Sequence, residues 1–208
     1  LAAMFGLGLD DAQQITLYQN VPISITPGHI ILIIGPSGSG KSTLLNDIAS
    51  HLPHALHLTN FPLESDRALI DTFNLPLDQT LEHLARAGLS DAFVLLRRPS
   101  ELSDGQRFRY RLARATASTP LTPGRPNVII ADEFAATLDR LTGKILAHQL
   151  RKTITRTNQT ALLATTHDDL IDDLQPDVLI HKHLGEKTTV IHRTSREIGS
   201  TTPSACPT

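Results

Sequence analysis

Apolar residues fall along the chain in short β-rich runs that alternate with longer stretches of helical spacing. This is the rhythm of strand–helix–strand units around a mainly parallel sheet. The run Ile30 to Ile34 predicts a buried strand, with a helix over Ser42 to Leu52 that stops near Pro53 and a short strand over Ala55 to Asn60. Helical spacing continues over Asp66 to Phe73 and Asp78 to Ala87, with Gly88 placed as a C-terminal stop, and a further helix starts near Asp104. Val128 to Ala131 is almost wholly apolar and β-branched, as a central strand covered on both faces requires. A long helix over Asp139 to Thr157, a strand over Thr160 to Thr165 and a short helix over Asp168 to Leu174 follow. Val178 to His183 and Thr188 to His192 then form a terminal hairpin around Gly185. One folded domain over residues 1–194 is expected. The Ser-, Thr- and Pro-rich stretch 195–208, which includes the lone Cys206, is expected to be a disordered tail.

Composition narrows the class without naming it. A chain of 208 residues buries roughly 70% of its unfolded surface, enough to fold without disulfide or metal staples. One cysteine excludes a disulfide framework and fits a reducing compartment, so a cytoplasmic location is expected. With 19 Lys and Arg against 21 Asp and Glu, net charge is −2, which argues against holding nucleic acid by phosphate neutralisation alone. No apolar run approaches the ~20 residues of a membrane span, so direct membrane insertion is not expected. Nor does a charged leader precede a long apolar stretch, so no secretion signal is expected; a start at Leu1 suits a fragment or a trimmed chain equally well.

Candidate chemistry is concentrated at the ends of the two buried strands. Gly35, Pro36, Ser37, Gly38, Ser39, Gly40, Lys41, Ser42 and Thr43 fit the phosphate-loop pattern G-x-x-x-x-G-K-[ST], directly between a strand and a helix. Its glycines let backbone amides curl around phosphate oxygens, and the helix start adds about half a positive charge. Lys41 can reach the β and γ phosphates, and the Ser42 hydroxyl can coordinate Mg²⁺. At the second strand end, Asp132 and Glu133 are placed to hold Mg²⁺ and to take a proton from an attacking water, respectively. A plain strand-to-helix corner, with Asp132 as a cap and Glu133 in solvent, is the structural alternative.

The order of motifs resembles the ATP-binding-cassette (ABC) ATPases. Leu102-Ser103-Asp104-Gly105-Gln106, continued by Arg109 and Ala113-Arg114-Ala115, looks like the family's signature motif. Thr137-Leu138-Asp139 is similar to its D-loop, and Thr166-His167 to its switch histidine. The resemblance implies a P-loop NTPase fold of the α/β class and an ATP- and Mg²⁺-dependent ATPase. It also implies an ATP-dependent homodimer in which Ser103, Gly105 and Gln106 of one copy cap the nucleotide held by the other. His167 would meet the γ-phosphate and Phe5 would stack on adenine, with Tyr18 the alternative aromatic. Ser103 acting only as a helix cap, and His167 as a helix-start residue, are the plainer readings.

Three features depart from the family pattern. Asp104 stands where glycine is usual, and only 62 positions separate Lys41 from Ser103, which implies a reduced helical subdomain. No glutamine follows the Ala55 to Asn60 strand, leaving Gln79 as the nearest Q-loop candidate. Arg107, Arg111 and Arg114 share a helix face, read as structural or solvated before nucleic-acid binding. His51, His54 and His57, with His181 and His183, show metal-like spacing but no aligned partner set, so no transition metal is expected. A soluble ATPase, with a fused or associated second domain as a possible partner, is the first functional class. The ATPase of a membrane transporter and a slow nucleotide clamp related to DNA-repair ATPases are the others.

Overall fold

A computed structural model describes residues 23, 25–52, 55–63, 66–118, 127–185 and 187–193. Phe5, Tyr18, Pro53, His54, Cys206 and the 195–208 stretch lie outside the described residues. Six strands form one sheet: β1 (Ile30–Ile34), β2 (Ala55–His57), β3 (Val128–Ala131), β4 (Thr160–Thr165), β5 (Val178–Lys182) and β6 (Thr188–His192), in the order β2-β3-β4-β1-β5-β6. All neighbours run parallel except β6, which returns antiparallel on β5. Because side chains alternate along a strand, β1 feeds two cores. Ile30 and Leu32 pack with the layer of α2 (Leu77–Arg86), α4 (Asp104–Ala117) and α5 (Arg140–Thr157), whereas Ile31 and Ile33 pack with Leu44, Leu45 and Ala49 of α1 (Lys41–Ser50).

One side chain locks the start of this sheet. The Asp177 carboxylate accepts from the Ile30 amide at 2.8 Å and from Arg151 of α5 at 2.6 Å, tying β1, the approach to β5 and the covering helix to a single group. Such a charge-assisted, part-buried node is worth more than a surface ion pair.

Between β2 and β3 the structure departs from the periodicity. No α-helix forms over Asp66 to Phe73; a single 3-10 turn spans Leu69–Asp71. Ala68 is extended and the Leu69 amide donates to the Arg97 carbonyl, so this backbone is bonded across the fold. The Thr72 hydroxyl donates back to the Leu69 carbonyl at 2.7 Å and accepts from the Tyr110 hydroxyl at 2.8 Å, a local competitor to helix propagation. A four-residue helix, α3 (Ala92–Leu95), and a 3-10 turn at Pro99–Glu101 lead into α4, neither of them evident from spacing. Strand β2 stops at His57, after which the Leu58 amide makes one more bond to the Ile130 carbonyl and the chain turns away. The Asp168 to Leu174 region divides into a 3-10 turn (Asp168–Leu170) and α6 (Ile171–Leu174). Among the described residues no helix is long and apolar enough to cross a membrane.

Candidate functional site

The phosphate loop is shaped by what lies beneath it. Gly35 follows β1 at φ 150°, and a β-carbon there would stand 2.0 Å from the Lys182 carbonyl of β5, so no side chain fits. The chain rises through Pro36 and Ser37, turns at Gly38 and enters α1 from Gly40 at φ 91°, with no side-chain cap. The first amides of α1 therefore remain available to an anion. Lys41 lies back over the loop, its ammonium donating to the Pro36 carbonyl at 2.8 Å. Burial lowers its basicity, against the opposing pull of Asp132 and Glu133.

A cleft of about 320 Å³ opens here, lined by Ser37, Gly38 and Gly40 through Thr43 on one side and by Asp132, Glu133, Thr165 and Thr166 on the other. Residues 90 positions apart in sequence thus face each other across one space, as the parallel register of β1, β4 and β3 requires. Ser39 is not part of this wall; it is buried and turned inward. Ser42 and Asp132 present a hydroxyl and a carboxylate to the same cleft, oxygen donors of the kind Mg²⁺ takes.

Glu133 is displayed by a tight turn. It sits at φ 51° and Ala135 at φ 62°, left-handed conformations that cost about 1–3 kcal/mol each for residues with a β-carbon. The turn is held by the fully buried Phe134, whose amide donates to the Ala164 carbonyl at 2.8 Å and whose carbonyl accepts from the Thr165 hydroxyl at 3.1 Å. Thr165 also accepts from the His167 amide at 3.2 Å. Spacing gave no hint of this role for Thr165, which reads only as a strand end. His167 itself is exposed at the head of the Asp168–Leu170 turn, one residue beyond the cleft wall at Thr166.

The signature segment lies elsewhere in the chain. Ser103 caps α4 reciprocally with Gln106: the Ser103 hydroxyl accepts from the Gln106 amide at 3.3 Å, and the Gln106 side chain accepts from the Ser103 amide at 3.1 Å. Neither they nor Gly105 line the phosphate-loop cleft. Asp104 pairs with Arg107 at 3.2 Å and faces a second cleft, on the other side of Asp132 and Glu133. Asp139 of the Thr137–Asp139 segment caps α5 by accepting from the Thr142 amide at 2.9 Å, and hydrogen bonding from the Thr142 side chain, then from its amide, holds the carboxyl below the usual range.

The remaining candidates separate. Gln79 is exposed on α2 and lines neither cleft; Thr59, just after β2, lines the second one. Arg107 and Arg111 share that second cleft, but Arg114 turns to the rings of Phe61, Phe73 and Tyr110, so the three arginines do not act as one stripe. The rings of His181 and His183 stack at 4.1 Å where β5 ends. Among the described residues no group of three or more metal-binding side chains forms.

Comparisons with known proteins agree with this fold. A family model described as an AAA domain matches residues 25–174. The methionine import ATP-binding protein of Sodalis glossinidius is 29% identical over 91% of this chain and 64% of its own length. An aliphatic sulfonates import ATP-binding protein of Rhodococcus jostii is 32% identical over 74% of this chain and 67% of its own length. The chain thus spans about two thirds of these curated relatives or slightly less. A solved dimeric ATP-binding cassette in a post-hydrolysis state, bound to ADP and Pi, superposes with a TM-score of 0.64. It is 24% identical and covers 88% of this chain and 93% of its own, a likeness of fold.

Proposed function

The chain belongs to the ATP-binding-cassette ATPases, within the AAA-domain class of P-loop proteins, and from that premise we propose that two copies close around two molecules of MgATP and hydrolyse them. The observation that carries this reading is the separation of Leu102–Gln106 from the phosphate-loop cleft. Gly38 to Thr43, Asp132 and Glu133 share one open space, while the segment able to cap a γ-phosphate stands outside it in the same chain. A twofold pairing supplies that cap from a second copy.

Within each site the phosphate-loop amides and Lys41 grip the triphosphate, and Ser42 and Asp132 would hold Mg²⁺, which supplies charge neutralisation at the β and γ oxygens. Glu133 takes a proton from the attacking water, and His167 reaches the γ-phosphate once the site closes. Ser103 and Gln106 can donate across the interface without breaking their capping box, because each accepts through oxygen there and keeps its hydroxyl hydrogen or side-chain NH2 free. A cytoplasmic setting suits this chemistry, with its single cysteine outside any pair.

The test is the Glu133→Gln variant with MgATP, followed by size-exclusion chromatography with light scattering. A nucleotide-dependent dimer is expected, because a slowed chemical step leaves the closed state populated; a monomer at saturating MgATP contradicts the reading.

A second reading has its own support. The two relatives named above are import ATP-binding proteins, and the reduced helical layer exposes Leu77, Phe93 (81% accessible) and Leu96 (66%). On this reading the layer docks a transmembrane partner. Co-purification with a co-expressed permease that is lost in Phe93→Asp supports it; unchanged co-purification opposes it.

A further inference from the structure

The second cleft, of about 220 Å³, shares Asp132 and Glu133 with the nucleotide cleft but opens on their other side, between the turn after β2 and the first turns of α4. Two arginines form its cationic wall. Arg107 is engaged, pairing with Asp104 at 3.2 Å and donating to the Leu102 carbonyl at 3.1 Å. Arg111, one turn further along α4, makes no ion pair or side-chain hydrogen bond among the described residues, and its Nε is buried without an acceptor, as is that of Arg107. Burial and the neighbouring Arg107 both depress its basicity. A half-buried guanidinium beside a second one, with no carboxylate of its own, is an unfavourable arrangement that an anion relieves. Thr59 adds a hydroxyl to the same wall.

We propose that the Arg107–Arg111 cleft is a subsite for inorganic phosphate, separate from the phosphate loop and backed onto the same Glu133. The space suits one tetrahedral oxyanion and its water, not a nucleotide. Two guanidinium forks match its oxygens, Arg111 contributing the unpaired charge and Arg107 the charge already balanced by Asp104. Asp132 and Glu133 on the shared wall oppose tight binding, so the affinity is weak, about millimolar, as a site that passes on a product requires. No bond is made or broken there. The identification of the anion as a hydrolysis product rests on the ATPase reading above; the site itself does not.

The experiment titrates inorganic phosphate into the whole chain under excess MgADP at fixed ionic strength, following phosphorus-31 NMR line width. Wild type and Lys41→Ala are expected to respond alike, Arg111→Ala and Arg111→Gln at least ~10-fold more weakly, and Arg111→Lys in between, its fork lost but its charge kept. Circular dichroism and MgADP binding confirm that the Arg111 variants are folded. Loss of the response in Lys41→Ala with retention in Arg111→Ala would place phosphate at the phosphate loop alone and overturn the proposal, as would no response in wild type. If phosphate binds through Arg111 but MgADP does not bind wild type, the ATPase reading fails while this site stands.

Discussion

Gly105 lies against the carbonyl of Thr137: a β-carbon at 105 would stand 3.1 Å from that oxygen and 3.1 Å from the Leu138 side chain. The first turn of α4 is thereby seated on the segment that leads from Glu133 into α5. The signature-like turn and the Thr137–Asp139 segment are packed against each other, close in sequence to the strand end that carries Glu133. Gly105→Ala is expected to change folding stability by less than about 1 kcal/mol, because the gain in helix propensity offsets the crowding. ATPase activity falls at least ~10-fold, since Thr137 must shift. Urea denaturation alongside steady-state ATPase separates the two effects.

Arg109 performs the corresponding task on the helical layer. Its guanidinium donates to the Gly88 carbonyl at 2.8 Å and to the Gly105 carbonyl at 3.3 Å, bridging the end of α2 to the signature turn. Burial lowers its basicity while Asp139 opposes the change. Arg109→Ala should cost about 1.5–3 kcal/mol in urea denaturation, the range for hydrogen bonds from a charged donor. Arg109→Lys recovers part of this, because a point charge cannot span both carbonyls.

Lys182 is fully buried in β5, its ammonium donating to the carbonyls of His183, at 3.1 Å, and Gly185. Burial lowers its basicity in the fold, so the unfolded chain binds the proton more strongly and folding is penalised wherever the amine is charged in both states. That penalty is complete below the folded-state value and fades as pH rises through it toward the ordinary lysine value of 10.5. Lys182→Met is therefore expected to be more stable than wild type at neutral pH by about 1–3 kcal/mol, with the gap closing as pH approaches 10.5. Denaturation curves from pH 7 to pH 10.5 check both sign and trend; a variant less stable at pH 7 contradicts the account.

The parts legible in the sequence are those where local pattern and tertiary role coincide. Ile30–Ile34 is apolar on both faces because two cores claim it, and Gly35 to Thr43 carries its turn chemistry within nine residues. The Asp66 to Phe73 stretch misled because its apolar spacing serves a 3-10 turn whose bonds go to Arg97 and Tyr110, partners that periodicity does not name. The placement of Thr165 and Arg111 was not legible for the same reason, although Arg111 stands out as one of three arginines on a helix face. Thr165 acts through the Phe134 carbonyl and Arg111 lines a cavity, both formed only by long-range packing. For Ser103 the sequence admitted both a helix cap and a nucleotide donor. The single chain realises the cap; the donor role requires a second copy.

That requirement is tested most directly by mixing two inactive chains. Lys41→Ala removes the grip on the triphosphate but leaves the Leu102–Gln106 segment intact, and Ser103→Glu does the reverse. Each alone should be inactive. After equal mixing, about half the dimers are hybrid and hold one complete site of two, so ATPase activity should return to roughly a quarter of wild type. A mixture no more active than the sum of its parts would contradict a site built from two copies.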